Sequence, residues 1–575
     1  MRQNARSARP LLKHLRRFNR TPNCASNSKT SKLPAGLSSR TSTVRDCKTV
    51  RLLDRTTVGV TVHASDPNNS IHIDVLTRLQ EVSFMDVLLM TGRLLVFLVI
   101  APLRVLVFLL SLVVRRPRRV RSTTFGSARW ARLRELVFGG VMSGDGLIVG
   151  KKFGRFLRFN RDGYVLLFAP TRSGKGVGVV VPNLLNYKGS IICSDPKGEN
   201  SAITGRYRAS LGPSLTLNVI NPQMSDSFNP LDMVRTGTFH EADDALELAK
   251  LLVIPEGGNS GHWDNRATQL LQGVVLYTCL RYANVPELRN LSKVRSLIAS
   301  GWTGISSVIA EDARDLGSTS LREFMQAFQE MEASEEARSI LSNADKAIAL
   351  WSADRPAGLV SLTSSFDFRD FNRQVMTCFI IVDEEKLPIY AGFLRVMMGC
   401  ALMAMTRAKD EAPPKHPTLL LLDEAAAMGR IEPLETGVGY LATYARMILV
   451  FQDLNQLRRT YPKADSMIAN ANCKVAFGVN DVASARDLAD AIGKTTVINA
   501  DGSEVGRYLL DPSEVTRLSP KKSIIFFSGA VTYPILANKI RYFKVRRWRR
   551  RYDAWRRPSA KVVQFRLPPS ENAAA

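Results

Sequence analysis

Residues 164–169, YVLLFA, run without a break into PTRSGKGVGVVVPNLL. An apolar strand pattern, then a small-residue loop carrying one lysine, then an apolar helical pattern leaves few folds open. The loop Ala169-Pro170-Thr171-Arg172-Ser173-Gly174-Lys175-Gly176 departs twice from GxxxxGK[ST]: Ala169 replaces the first glycine and Gly176 the hydroxyl residue. Its physics survives both changes. Gly174 permits the tight turn, and the successive backbone N–H groups of Thr171, Arg172, Ser173, Gly174, Lys175, Gly176 and Val177 form a nest for an anion. Lys175 reaches the β- and γ-phosphates, and the following helix points its positive end at them. Without a hydroxyl at position 176, one magnesium ligand must come from water or from a neighbour such as Ser173. A plain Gly-rich turn is the competing reading, and the flanking strand and helix disfavour it.

A second motif belongs with the first. Thr418-Leu-Leu-Leu-Leu-Asp423-Glu424 is an apolar strand with two carboxylates at its carboxyl end, where ligands of parallel sheets bind. Such a pair predicts Mg²⁺ held at Asp423, usually through water, and an attacking water oriented or deprotonated by Glu424. The next strand, RMILVFQ (446–452), ends on Gln452, an amide placed to sense a γ-phosphate. SDPKGEN (194–200) follows the strand after the loop helix and brings Asp195, Lys197 and Glu199 to the same edge. A turn with a helix cap and a supporting role at the site both fit that segment. Together these motifs predict ATP and Mg²⁺ as ligands. Their order predicts an α/β, RecA-like P-loop NTPase of the additional-strand class, with an extra strand between the two motif-bearing strands.

The remaining strands read as SIICSD (190–195), VMTCFIIV (375–382), KVAFGV (474–479) and SIIFFSG (523–529), alternating with helical patterns as in a parallel sheet. Between about 240 and 370 strands disappear. FHEADDALELAKLLV, WDNRATQLLQGVVLYTCLRYA and LREFMQAFQEMEASEEARSILSNADKAIAL predict an inserted all-helical domain. The expected organisation is a basic tail over 1–80, a membrane anchor region over 81–121 and a nucleotide-binding domain in two parts, 122–239 and 371–540. The helical insertion takes 240–370, and a basic aromatic tail closes the chain over 541–575.

Charge supports this division. The 575 residues carry a net charge of +27. Residues 1–70 hold 14 Lys/Arg against 3 Asp, residues 115–134 hold 8 Arg and no acid, and residues 541–575 hold 11 Lys/Arg against 2 acids. Those three segments account for the whole surplus, which excludes a uniformly basic, histone-like protein. Seven scattered cysteines with no CxxC argue against a disulfide scaffold and against a zinc site. His262, in GHWDN, is expected to cap or pack rather than to bind metal.

Residues 1–70 read as a disordered segment, as an organelle-type transit sequence, or as a stretch preceding a true start at Met85 or Met90. LLVFLVIAPLRVLVFLLSLVV, Leu94 to Val114, is long enough to cross a bilayer as a helix. Arg104 opposes insertion by roughly 2.5–3.5 kcal/mol, which the surrounding Leu, Val and Phe offset. Eight arginines follow the span against Arg78 and Arg93 in the 23 residues before it, so the chain after the span is expected in the cytoplasm. The last basic segment, RYFKVRRWRRRYDAWRR (541–557), interleaves Arg with Tyr542, Trp548, Tyr552 and Trp555. A solvated tail, a single-stranded nucleic-acid contact and a membrane-surface contact all fit that composition.

The chain resembles TraG/TraD-like type IV coupling proteins of conjugation and type IV secretion. The resemblance spans about residues 120–540. It is carried in family order by TTFGSARWA (123–131), APTRSGKGVG (169–178), SDPKGEN (194–200), FNPLD (228–232), HWDNRA (262–267), SLTSSFDFRDF (361–371), LLDEAAAMGRI (421–431) and QDLNQL (452–457). Gly176 after the lysine is usual in such loops. The resemblance implies a homohexameric ATPase at the bacterial inner membrane, its ATPase domain in the cytoplasm. It would link a relaxase with its single-stranded DNA (the relaxosome), or protein substrates, to the channel proteins of a type IV secretion system and, as a motor, drive their transfer by ATP hydrolysis. It also implies a trans-acting arginine, for which Arg430 and Arg446 are candidates. The family usually has two N-terminal spans, and only one is evident here. Two further readings stand beside the motor: a recruitment platform that binds ATP without pumping, and another RecA-like DNA pump or secretion ATPase.

Overall fold

The computed structural model describes residues 122–254, 261–312, 315–329 and 334–555. The expected membrane span, the basic N-terminal segment and residues 556–575 lie outside the described residues.

Apolar β-rich runs separated by helices assemble into an eleven-stranded sheet. Its order is Arg155–Phe159, Leu147–Lys152, Val531–Asn538, Lys522–Phe527, Cys473–Ala476, Tyr164–Phe168, Ala445–Phe451, Thr418–Leu422, Ile191–Asp195, Thr377–Ile381 and Ser214–Asn218. The seven strands from Cys473–Ala476 to Ser214–Asn218 run parallel. The other four add on antiparallel at one side. SIIFFSG, expected as one more parallel strand, instead forms Lys522–Phe527, which pairs antiparallel with both of its neighbours. The short connection from Lys522–Phe527 to Val531–Asn538 leaves no room for a helical crossover, so these two strands form an antiparallel hairpin. The strand Ala445–Phe451 sits between the P-loop strand and the strand that ends in Asp423 and Glu424, as the additional-strand order requires.

Side-chain alternation divides the core into two layers. Leu166, Leu420, Leu422, Met447 and Leu449 face one side with the long helices, while Val165, Leu167, Leu419, Leu421, Ile448 and Val450 face the other with the P-loop helix. Strands buried on both faces read as continuous apolar runs, which is why TLLLL shows no alternation in sequence.

Among the described residues between Asn218 and Thr377 only helices and turns occur. The helices Glu241–Leu252, Gly261–Arg281 and Glu335–Ile348 pack into the same core layer as Leu387–Arg407. That last helix is the one described segment long and apolar enough to cross a membrane, yet it is largely buried against the body. A Cβ at its Gly399 would meet Leu251 Cδ1 at 2.3 Å, so a glycine allows the close crossing with Glu241–Leu252. Fully buried Arg208 holds three parts of the fold together, donating at 2.7 Å each to Thr377 Oγ1, Tyr187 O and Gly189 O.

Residues 541–555, read from sequence as part of a tail, lie packed on the body. Trp548 is fully buried with Ile148, Val181, Leu185, Ile203 and Ile540. Its ring stacks on Phe156 with centroids 5.4 Å apart. Arg551 donates to Leu185 O at 3.0 Å, and Arg206 pairs with Asp553 at 2.9 Å. Trp548, with Tyr542 and Tyr552 partly buried beside it, is therefore spent on packing, while Phe543, Trp555 and most of the arginines stay at the surface. Trp548→Ala is expected to lower unfolding stability by about 3–4 kcal/mol, read as a drop in the denaturant midpoint. An unchanged midpoint would mean that the segment does not depend on this contact.

Candidate nucleotide-binding site

The four parallel strands that carry the motifs end at one edge of the sheet. Phe168 pairs with Phe451, and Leu422 with both Leu449 and Ser194, so Ala169, Gln452, Asp423 and Asp195 all follow at the carboxyl ends. The loop Pro170–Lys175 then turns back: Arg172 and Gly174 both take left-handed backbone angles, with φ of 62° and 89°. Glycine accommodates such an angle freely, whereas Arg172 holds it at a cost. The loop opens into a π-helical turn, Gly176–Val180, which continues as the helix Val181–Asn186. Asn183 anchors that helix. Its Oδ1 accepts from Ile148 N–H at 2.8 Å and its Nδ2 donates to Ile148 O and Val179 O, both at 2.8 Å.

Lys175 reaches across the edge to both carboxylates, with Nζ 3.0 Å from Asp423 Oδ1 and hydrogen-bonded to Glu424 Oε2. Gln452 Nε2 donates to Glu424 Oε1 at 2.6 Å. Gln456 adds a contact that sequence reading did not assign: its Oε1 accepts from Gln452 N–H at 2.7 Å, and its amide also bonds Glu424. The D-x-x-Q of QDLNQL carried the signal: Asp453 caps the helix Leu454–Thr460, and Gln456 in its first turn reaches back to the backbone N–H before the cap. Ser194 Oγ donates to Asp423 O at 2.8 Å and fixes the end of its strand. Glu424 itself sits at φ 64°, a left-handed position for a non-glycine residue.

The charges respond to this enclosure. Burial pushes the Asp423 carboxyl above its ordinary range despite the opposing pull of Lys175. For Glu424 burial also pushes upward, but Lys175 and the hydrogen bonds from Gln452 and Gln456 outweigh it and leave the group below its ordinary value. Burial lowers Lys175, and the two carboxylates more than reverse that, so its ammonium is held charged. Asp195 is buried next to them. Burial raises its carboxyl to about 7, against hydrogen bonds from the backbone N–H groups of Ser201 at 2.8 Å and Asn200 at 3.2 Å. Those bonds cap the helix Glu199–Ala209, while Lys197 pairs with Glu384 at 2.9 Å on the surface.

The residues present fit a magnesium–triphosphate. Ser173 Oγ is buried with no hydrogen-bond partner, and Asp423 Oδ1 accepts no aligned hydrogen bond although Lys175 lies beside it. Buried polar atoms left in this way call for a ligand or ordered water. A Cβ at Gly176 would meet nothing within 4 Å, so space at that position is open. A cavity of about 560 Å³ lined by Arg458, Lys474, Asp487 and Phe526 holds none of Lys175, Asp423, Glu424 or Gln452.

Of the two arginine candidates, Arg430 donates to buried Glu435 at 2.7 Å. Arg446 stands at the amino end of its strand, the end opposite the motif edge. His262 lies edge-on to Trp263, with ring centroids 5.1 Å apart.

A parallel sheet with a lysine loop, an acidic strand end and an interposed strand defines an additional-strand P-loop NTPase. The chain belongs to the family described as type IV secretory system conjugative DNA transfer, whose model matches residues 122–566. Conjugal transfer protein TraG of Escherichia coli is 30% identical over 69% of this chain and 72% of its own. Protein VirD4 of Rhizobium rhizogenes is 26% identical over 74% of this chain and 67% of its own. The solved plasmid coupling protein TrwB, in complex with a non-hydrolysable ATP analogue, shares the fold. Its TM-score is 0.55 at 17% identity, over 72% of this chain and 93% of that one.

Proposed function

We propose that this chain is the ATP-hydrolysing coupling protein of a type IV secretion system. It passes a relaxase with its single-stranded DNA, or protein substrates, to the secretion channel, working as a homohexamer anchored in the bacterial inner membrane. The observation that carries the ATPase reading is the Lys175 ammonium lying between Asp423 and Glu424, with Gln452 on the second carboxylate.

In this reading the Lys175 ammonium and the loop N–H groups between Thr171 and Val177 take the phosphates, Ser173 N–H excepted, since it donates to Pro170 O at 3.0 Å. Asp423 and Ser173 would hold Mg²⁺, which supplies charge neutralisation at the phosphates when bound. The triphosphate competes with Glu424 for Lys175. Once Lys175 turns to phosphate, Glu424 loses the strongest influence lowering its pKa while its burial remains, so its basicity rises. Gln452 and Gln456 keep the freed carboxylate aimed at the site, where Glu424 accepts a proton from the attacking water.

The test is ATP hydrolysis by the purified full-length chain with and without single-stranded DNA, its oligomeric state followed in parallel. Stimulation by DNA together with assembly into a ring supports the reading. Absence of hydrolysis under both conditions would overturn it.

A further inference from the structure

The strand Val531–Asn538 ends beside the phosphate loop, and the next residue, Lys539, makes an unusual pair of contacts. Its Nζ donates to Ser173 O at 3.1 Å and to Phe477 O at 2.8 Å, and it lies 4.3 Å from the centroid of the Phe477 ring. No carboxylate among the described residues pairs with it; its ammonium is held by two backbone carbonyls and an aromatic face. Burial alone lowers its pKa to about 8, as expected for a cation that no acid faces.

Ser173 is the residue before Gly174. In a trans peptide the carbonyl and the following N–H point in opposite directions across one plane. A lysine that holds Ser173 C=O outward therefore turns Gly174 N–H inward. That N–H has no acceptor among the described residues, and it stands where the loop is built to meet an anion. Gly174 takes a φ of 89°, and because glycine tolerates a wide range of backbone angles, what holds the adjoining carbonyl decides how this peptide plane is turned. The neighbouring helix turn rests on the same two elements: a Cβ at Gly178 would meet the Phe477 ring at 3.1 Å and Ile540 O at 3.6 Å.

We propose that Lys539 is a positioning residue of the nucleotide site, clamping the Ser173–Gly174 peptide so that Gly174 N–H is preset for phosphate. The role rests on the reading of this loop as the ATP site. It acts through the loop backbone and contributes to binding rather than to the chemical step. It also joins the phosphate loop to the carboxyl-terminal part of the fold, 366 residues away in sequence.

The experiment compares Lys539→Met and Lys539→Arg in the full chain, measuring affinity for β,γ-imido ATP with Mg²⁺, steady-state hydrolysis and the unfolding midpoint. Lys539→Met is expected to weaken binding and raise KM about tenfold, with kcat at saturating ATP changed less than about threefold. Lys539→Arg, which restores the donors, is expected to recover most of the affinity. Wild-type affinity in Lys539→Met would overturn the proposal. So would failure of Lys539→Arg to rescue binding, or a loss of affinity in both variants that only tracks a lowered unfolding midpoint. If the wild-type chain itself binds no nucleotide, or binds it equally well as Lys175→Met, the site reading fails and the role of Lys539 falls with it.

Discussion

Glu424→Gln is expected to slow ATP hydrolysis by on the order of 10²–10⁴-fold while nucleotide affinity stays within about threefold of wild type. The substitution keeps the side chain's size and leaves an oxygen to accept from Gln452, so the local geometry is retained. What disappears is the group able to accept a proton. One negative charge facing Lys175 also goes, and that leaves the lysine freer for phosphate. Single-turnover hydrolysis with excess enzyme separates this loss from slow product release. Hydrolysis at near wild-type rate would place the base elsewhere.

Lys175→Met is expected to act on binding and on chemistry together. The ammonium is the cation that faces both carboxylates at the strand edge, and it is the side chain able to neutralise phosphate charge as it develops. Hydrolysis should fall by on the order of 10²–10³-fold or more, with nucleotide affinity reduced in parallel. Unlike the change at Glu424, this one also harms the ligand-free fold. Asp423 and Glu424 are left close together and partly buried with no counter-charge, at a cost of about 1–3 kcal/mol, reduced from the fully buried case by their partial exposure. Isothermal titration with ATP and Mg²⁺ and a denaturant titration check the two halves. Retained single-turnover hydrolysis would count against the assignment of the loop.

The central part of this protein was legible in sequence because its signals are local. A buried parallel strand announces itself as an apolar run, and YVLLF, IICSD and TLLLL each carry their functional residues within a few positions of the strand end. The order of the motifs also anticipated the strand lying between them. The sheet margin was less legible. Arg155–Phe159, Ser214–Asn218 and Val531–Asn538 are short or half-exposed, mix charged, polar and proline residues into the run, and lack the continuous apolar character of the centre. The burial of Trp548 and the contact of Lys539 with Ser173 were out of reach for a different reason. They depend on the end of the chain folding back onto its P-loop helix, and no local period encodes a pairing over such a separation. The basic composition of this segment gave no sign of the packing of Trp548 and Arg551 on the body.

In the proposed function, hydrolysis at the Lys175–Asp423–Glu424 site drives transfer. The measurement that tests it most directly is transfer frequency in cells carrying full-length Glu424→Gln in place of the wild-type chain, with expression matched and nucleotide binding verified. Transfer is expected to be lost together with hydrolysis although ATP is still bound. Transfer at the wild-type frequency would contradict it, and would make ATP binding alone, on a recruitment platform, the sufficient function of this site.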